Sequence, residues 1–221
     1  SYRYLEKFLV SPCLFYMPKE TRKIVVINAD DFGLTKGINA GVIHCFKNGI
    51  VRSVSLVVNG HAFDDAISLL KENRDLGVGW HAVLVGEKPV LPLNNIKSLI
   101  GPDEKLLPDY KSFMIKYFTG QIDLKEVTSE LESQIRKILS YGITVDHIDC
   151  HQYIHMLPQI LPIVIDLAKK YEIRYIRFPC RELFQVLNIK SLGLFYLAAI
   201  SYPRIKKSGL SYADRFLGFR K

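Results

Sequence analysis

Short apolar runs alternate with amphipathic segments of helical period through most of this 221-residue chain, and that alternation limits the fold more than any other feature. Residues 24–28 (IVVIN) form a near-continuous apolar stretch of the kind buried on both faces of a parallel sheet. Further strands are predicted over 53–58, 77–83, 144–150 and 174–178, with helices over 36–48, 63–72, 124–141, 157–171 and 192–201. Strand and helix in strict succession predict an α/β fold with a parallel sheet. Between 86 and 122 the chain carries Pro89, Pro92, Pro102 and Pro108, more than a compact domain spends on one connection. Such loops usually bind something.

The length suits one domain. Segment 1–20, interrupted by Glu6, Lys7 and two prolines, reads as an extension, which leaves 21–221 as a single domain. No apolar run reaches the roughly 18–20 residues needed to span a bilayer. Cys13, Cys45, Cys150 and Cys180 lack C-x-x-C spacing, so neither a zinc knuckle nor a redox motif is indicated, and reduced thiols in a cytoplasmic protein fit best. The net charge of +8 does not by itself identify a partner, and no nucleic acid is expected. Much of that charge sits in Arg204, Lys206, Lys207, Arg215, Arg220 and Lys221, beside the apolar stretch 192–200. This pairing suits peripheral contact with a membrane surface. A buried helix followed by a solvated basic loop is the competing reading.

In parallel α/β folds, chemistry gathers where the strands end. There stand Asp30 and Asp31 after the first strand, His81 at the third, and His147, Asp149, His151 and His155 around the fourth. Adjacent acids alone read as a solvated turn, and a lone histidine as a satisfied core group. The segment 146–158 differs, with three of the six histidines and two acids in little more than ten residues. Imidazole with carboxylate points to a transition metal, and two His with one Asp would leave a position open for catalysis. His44, inside a helix, and His61, beyond the Asn59-Gly60 turn, fit such a site less well.

Four phrases carry a resemblance: Ile27-Asn28-Ala29-Asp30-Asp31-Phe32-Gly33-Leu34, residues 49–60 (GIVRSVSLVVNG), Gly77-Val78-Gly79-Trp80-His81, and Asp149-Cys150-His151 through His155-Met156-Leu157-Pro158. In order and spacing they resemble the YdjC-like carbohydrate deacetylases, with residues 83–92 leaning towards the hopanoid-associated branch. The resemblance implies an imperfect, TIM-like (β/α) barrel holding one divalent ion, Mg²⁺ or Zn²⁺, with Co²⁺ or Mn²⁺ also accommodated. Its ligands would be Asp31, His81 and His151. Asp30 would be the general base, with Asp149, His155 and Asn59 orienting ligands or contacting an N-acetylated sugar or glycolipid. Tyr153 departs from the family, standing where a middle histidine is usual, and Cys150 replaces a small residue. A late His-Pro motif and the family's last strands are not found, so the barrel is expected to be incomplete at its C-terminal side. Its unpaired edges would favour self-association. A metal- or glycan-binding homologue without turnover is therefore the alternative expectation.

Overall fold

The computed structural model describes residues 23–179 and 189–216. The extension 1–20, Cys13, Cys180, Arg220 and Lys221 lie outside the described residues. In chain order the elements are β1 (Asn28–Phe32), α1 (Lys36–Asn48), β2 (Ser53–Leu56), α2 (Phe63–Glu72), β3 (Gly77–Ala82), α3 (Tyr110–Phe118), α4 (Leu124–Ser140), β4 (His147–Cys150), α5 (Ile160–Lys170), β5 (Tyr175–Ile176) and α6 (Ile189–Ser208). The five strands are parallel and neighbour one another in sequence order, the pattern of a barrel wall laid down strand by strand.

One face of the sheet is apolar. Val54, Leu56, Val78, Trp80, Ile148 and Ile176 are buried, and Trp80 Nε1 donates to Gln134 of α4, which marks this as the helix-covered side. On the other face Ser53 Oγ donates to Asn28 Oδ1 at 2.7 Å, Asn28 Nδ2 to Ser55 Oγ at 2.7 Å, and Ser55 Oγ to Asp149 Oδ2 at 2.5 Å. Strand alternation thus sorts hydrocarbon to one side and a hydrogen-bonded polar layer to the other.

That polar face is concave. In a flat sheet four strand spacings of about 4.8 Å would hold β1 and β5 about 19 Å apart, yet Arg177, just after β5, reaches Asp30 of β1 at 2.6 and 2.7 Å. The sheet therefore curls until its ends nearly face each other. Among the described residues β1 and β5 do not pair, so no closed barrel is formed there, and Ser211 bridges to Tyr175 along β5.

The helices follow their sequence signals. Thr35 caps α1 by accepting from Ile38 N, Asp123 caps α4 by accepting from Lys125 N, and Gly142 ends α4 with φ +73°. Val127, Leu131, Ile135 and Ile138 form the buried stripe of α4. Three elements differ most from expectation, one of them α6, which runs over Ile189–Ser208 instead of 192–201 because it continues through Pro203. The first strand begins at Asn28 instead of 24, and Ile24, Val25 and Val26 are exposed, because the ladder to β2 opens at the pair Asn28–Ser53. Its inward positions are polar, so apolarity was a poor guide to it. The proline-rich stretch 86–122 contains α3, capped by Asp109 through Ser112 N at 2.8 Å, besides short 3-10 turns.

The basic C-terminal residues Arg204, Lys206 and Lys207 belong to α6 itself, which buries Ala198, Ser201 and Ile205 and continues through Pro203. Among the described residues no helix is long and apolar enough to cross a membrane.

Gly79 is a point of close approach: a Cβ there would stand 2.1 Å from His147 Nε2, and that ring is held by Asp146. Gly79→Ala is expected to cost about 1–3 kcal/mol, as overpacking does, read from chemical denaturation. Adding His147→Ala should restore part of the loss, and no recovery would place the strain elsewhere.

Candidate metal centre

Asp31 owes its direction to backbone irregularity. The β1–β2 register slips between Ala29 and Phe32, and Asp31 has φ +61°, a left-handed conformation that aspartate tolerates better than most residues. A bulge re-aims a side chain out of strand alternation. Asp30 keeps its inward direction while Asp31 is also turned to the mouth. His81 ends β3, and His151 follows β4 at a turn whose next two residues, Gln152 and Tyr153, have φ 59° and 58°. Backbone strain in two consecutive non-glycine residues is typical of functional turns.

These three side chains converge, with ligand atoms all within 4.8 Å of one another. Asp31 Oδ1 lies 3.4 Å from His81 Nε2 and 3.3 Å from His151 Nδ1. Ligands bound at about 2.0–2.1 Å around a tetrahedral ion stand about 3.3–3.4 Å apart, so the two distances from Asp31 Oδ1 match those expected around such an ion. Asp31 Oδ1 is also buried without a hydrogen bond, an acceptor left for something else. His81 is 3% exposed, whereas Asp31 and His151 are each 34% exposed, so the open position faces the mouth.

His81 is oriented by its neighbours. Its Nδ1–H donates to Asp149 Oδ1 at 2.6 Å, which leaves Nε2 directed at Asp31. Burial works against a charged imidazole, but the adjoining Asp149 and then Asp31 outweigh it and push the His81 pKa up to about 10. Contacts with His151 and then His81 hold Asp31 well below the usual carboxylate range. Asp149, fully buried, also takes Arg177 Nη2 at 2.7 Å on its second oxygen.

Asp30 is not among the converging ligand atoms. Arg177 grips it through both terminal nitrogens, at 2.6 and 2.7 Å, and Asn28 Nδ2 adds a bond of 2.8 Å. Arg177 thereby joins Asp30, Asp149 and, through Asp149, His81. It was not singled out in the sequence because a lone arginine at the end of a short strand reads as solvated. The weak signal was an arginine at a strand end facing two strand-end acids.

The other sequence candidates are spread around this core. His155 is buried, its Nε2–H donates to the Arg177 carbonyl at 3.0 Å, and burial pushes its pKa down to about 4, so it is neutral at physiological pH. It braces β5 and is not brought to the ion position. Asn59 Nδ2 donates to the Lys88 carbonyl at 2.8 Å, holding the loop after β3. His44 and His61 are exposed and apart from the cluster. Burial pushes the Cys150 thiol up to about 12, which keeps it protonated and unreactive. Beside the ligand atoms a cavity of about 140 Å³ is lined by Asp31, His151 and Glu87 and by the apolar walls Val57, Val83 and Val85. It is smaller than the roughly 300–1,000 Å³ pockets that enclose whole ligands, and suits the reacting end of one.

Comparison with known proteins adds to this geometry. The profile of the YdjC-like protein family matches residues 24–221. The chain belongs to the YdjC-like family. The YdjC-like chain is 36% identical over 189 residues to the carbohydrate deacetylase of Clostridium beijerinckii, covering 82% of this chain and 72% of that protein. It is 34% identical over 195 residues to the carbohydrate deacetylase of Thermoanaerobacter pseudethanolicus, with 88% and 68% covered. Among solved structures, a candidate cellobiose-phosphate cleavage protein of Enterococcus faecalis V583 superposes with TM-score 0.62 at 27% identity, covering 79% of the YdjC-like chain and 64% of that protein.

Proposed function

We propose that this YdjC-like chain is a metal-dependent carbohydrate deacetylase, hydrolysing the acetamido group of an N-acetylglucosamine-type sugar. The observation that carries the reading is the convergence of Asp31, His81 and His151 on one open position, next to an Asp30 that is held in place without being a ligand. The names of the relatives supply the substrate class.

A divalent ion held by these three side chains would supply Lewis acidity and a water of lowered pKa. The remaining work falls to the chain. Asp30 takes a proton from the attacking water, and the bidentate grip of Arg177 keeps its oxygens directed to the mouth. Val57, Val83 and Val85 accept the acetyl methyl and exclude bulk water from the reacting carbon. Water adds to the acetyl carbon, the proton taken by Asp30 passes to the departing nitrogen as the C–N bond breaks, and acetate and the amine leave. For the glycolipid form of the substrate the feature to weigh is α6, which exposes Tyr196, Ile200 and Tyr202 and carries Lys206 and Lys207 in its last turn.

The test is acetate release from N-acetylglucosamine oligomers and from an N-acetylglucosaminyl lipid by metal-reconstituted protein, with a chelated control. Release that chelation abolishes supports the reading. An ion bound with no release from either substrate overturns it in favour of a metal- or glycan-binding protein.

Metal binding should also depend on pH in a defined direction. Below its raised pKa His81 carries a proton that an ion must expel from Nε2, so the deprotonated fraction grows with pH. Apparent affinity is expected to rise about tenfold per pH unit from 7 towards 9, with about one proton released per ion. Calorimetry in buffers of different ionisation enthalpy reads that proton, and a flat affinity would show His81 already neutral.

A further inference from the structure

The segment leaving β3 supplies Val83, Val85, Gly86 and Glu87 to the cavity beside the metal position. It is pinned at both ends to one side of α4. Gln134 accepts from Trp80 Nε1 at 3.2 Å and Val83 N at 3.1 Å, and its Nε2 donates to the Val83 carbonyl at 2.7 Å and to Glu130 Oε1 at 3.0 Å. One helical turn earlier, Glu130 accepts from Val90 N at 2.9 Å on one oxygen and from Leu91 N at 3.0 Å on the other. Between the pins, Gly86 N donates to the Leu107 carbonyl and Asn59 Nδ2 to the Lys88 carbonyl, both at 2.8 Å.

Glu130 and Gln134 are both fully buried. Burying such groups costs free energy even when they are partnered, and apolar residues of similar size would fill the same space at lower cost. The stripe of Val127, Leu131, Ile135 and Ile138 already attaches α4 to the sheet, so helix packing does not account for them. What they hold is the strap. Only an acid at 130 satisfies it: three N–H donors converge on two oxygens, and an amide would set its own NH₂ against one of them. A fully satisfied network of this kind fixes one geometry.

We propose that the Glu130–Gln134 pair is a positioning device that fixes residues 83–91 as a rigid cavity wall and so confines the site to short acyl groups. The inference rests on the deacetylase reading and extends it to acyl-chain specificity. With the strap held at both ends, Val85 cannot retreat to admit a longer chain. Hydrophobic pockets discriminate a misfitting methylene by roughly 10–200-fold, so a yielding wall should be visible in substrate choice.

The test compares wild type with Glu130→Gln on N-acetyl and N-butanoyl glucosamine oligomers, with metal affinity and hydrogen exchange of the strap amides measured on the same samples. The acetyl-to-butanoyl ratio of kcat/KM is expected to fall about tenfold in the variant. Metal affinity, set by residues on β1, on β3 and at the turn after β4, should stay within about twofold, while Val90 and Leu91 amides exchange at least about tenfold faster. An unchanged ratio alongside active wild type overturns the inference alone. Absence of acyl release by wild type overturns the deacetylase reading beneath it. Should Glu130→Gln fail to fold, exchange in wild type still decides: Val90 and Leu91 amides as protected as those of α4 support the clamp, and exchange at the rate of free loop amides overturns it.

Discussion

An Asp149→Ala variant is expected to lose about 3–5 kcal/mol of folding stability, the usual cost of leaving a buried charge unpaired, and about 10–100-fold in metal affinity, the usual cost of removing a ligand's hydrogen-bonded support. Both losses come from one side chain because Asp149 serves three partners from full burial. It accepts from His81 Nδ1, Ser55 Oγ and Arg177 Nη2, at 2.6, 2.5 and 2.7 Å. Without it the guanidinium keeps Asp30 and the face of the Phe216 ring, neither of which replaces the buried carboxylate, and His81 loses the bond that orients its Nε2. Thermal unfolding and competition with a chromophoric chelator read the two effects separately. A stable variant with intact affinity would show that Arg177 and His81 find other partners, and the site would not be built as described.

Asp30→Asn is expected to do the reverse, leaving the ion bound and removing the reaction. General bases contribute typically about 10²–10⁴-fold, so acetate release should fall by that order. Metal affinity should change little, since Asp30 is not among the converging ligand atoms. Asparagine keeps the shape and one oxygen for Arg177, so the fold should hold. Undiminished release would move the base elsewhere, and lost metal binding would mean that Asp30 takes part in ligation.

Periodicity located most of the architecture. Residues 36–48 and 63–72 are helices with the expected bounds, and the strands after them begin where expected, because apolar residues on those segments meet an apolar partner. It failed where the inward positions of a strand are filled by hydrogen-bonded polar groups. β1 was sought in the apolar 24–28 and lies over Asn28–Phe32, whose inward Asn28 and Asp30 are held by Ser53, Ser55 and Arg177. It failed again in the loop, where the prolines concealed α3 and nothing marked Glu130 or Gln134 as more than helix residues. The convergence of Asp31, His81 and His151 was legible because strand ends of a parallel sheet share one rim. Arg177 was not, since its meaning lies in a curvature that no local pattern encodes.

The Asp30–Arg177 pair spans 147 residues of chain. β1, β3 and the turn after β4 carry the three candidate ligands, while Arg177 after β5 ties down both Asp30 and the Asp149 that orients His81. One guanidinium therefore couples the two ends of the sheet, and any change that lets those ends part would disturb Asp30 and the support of His81 together.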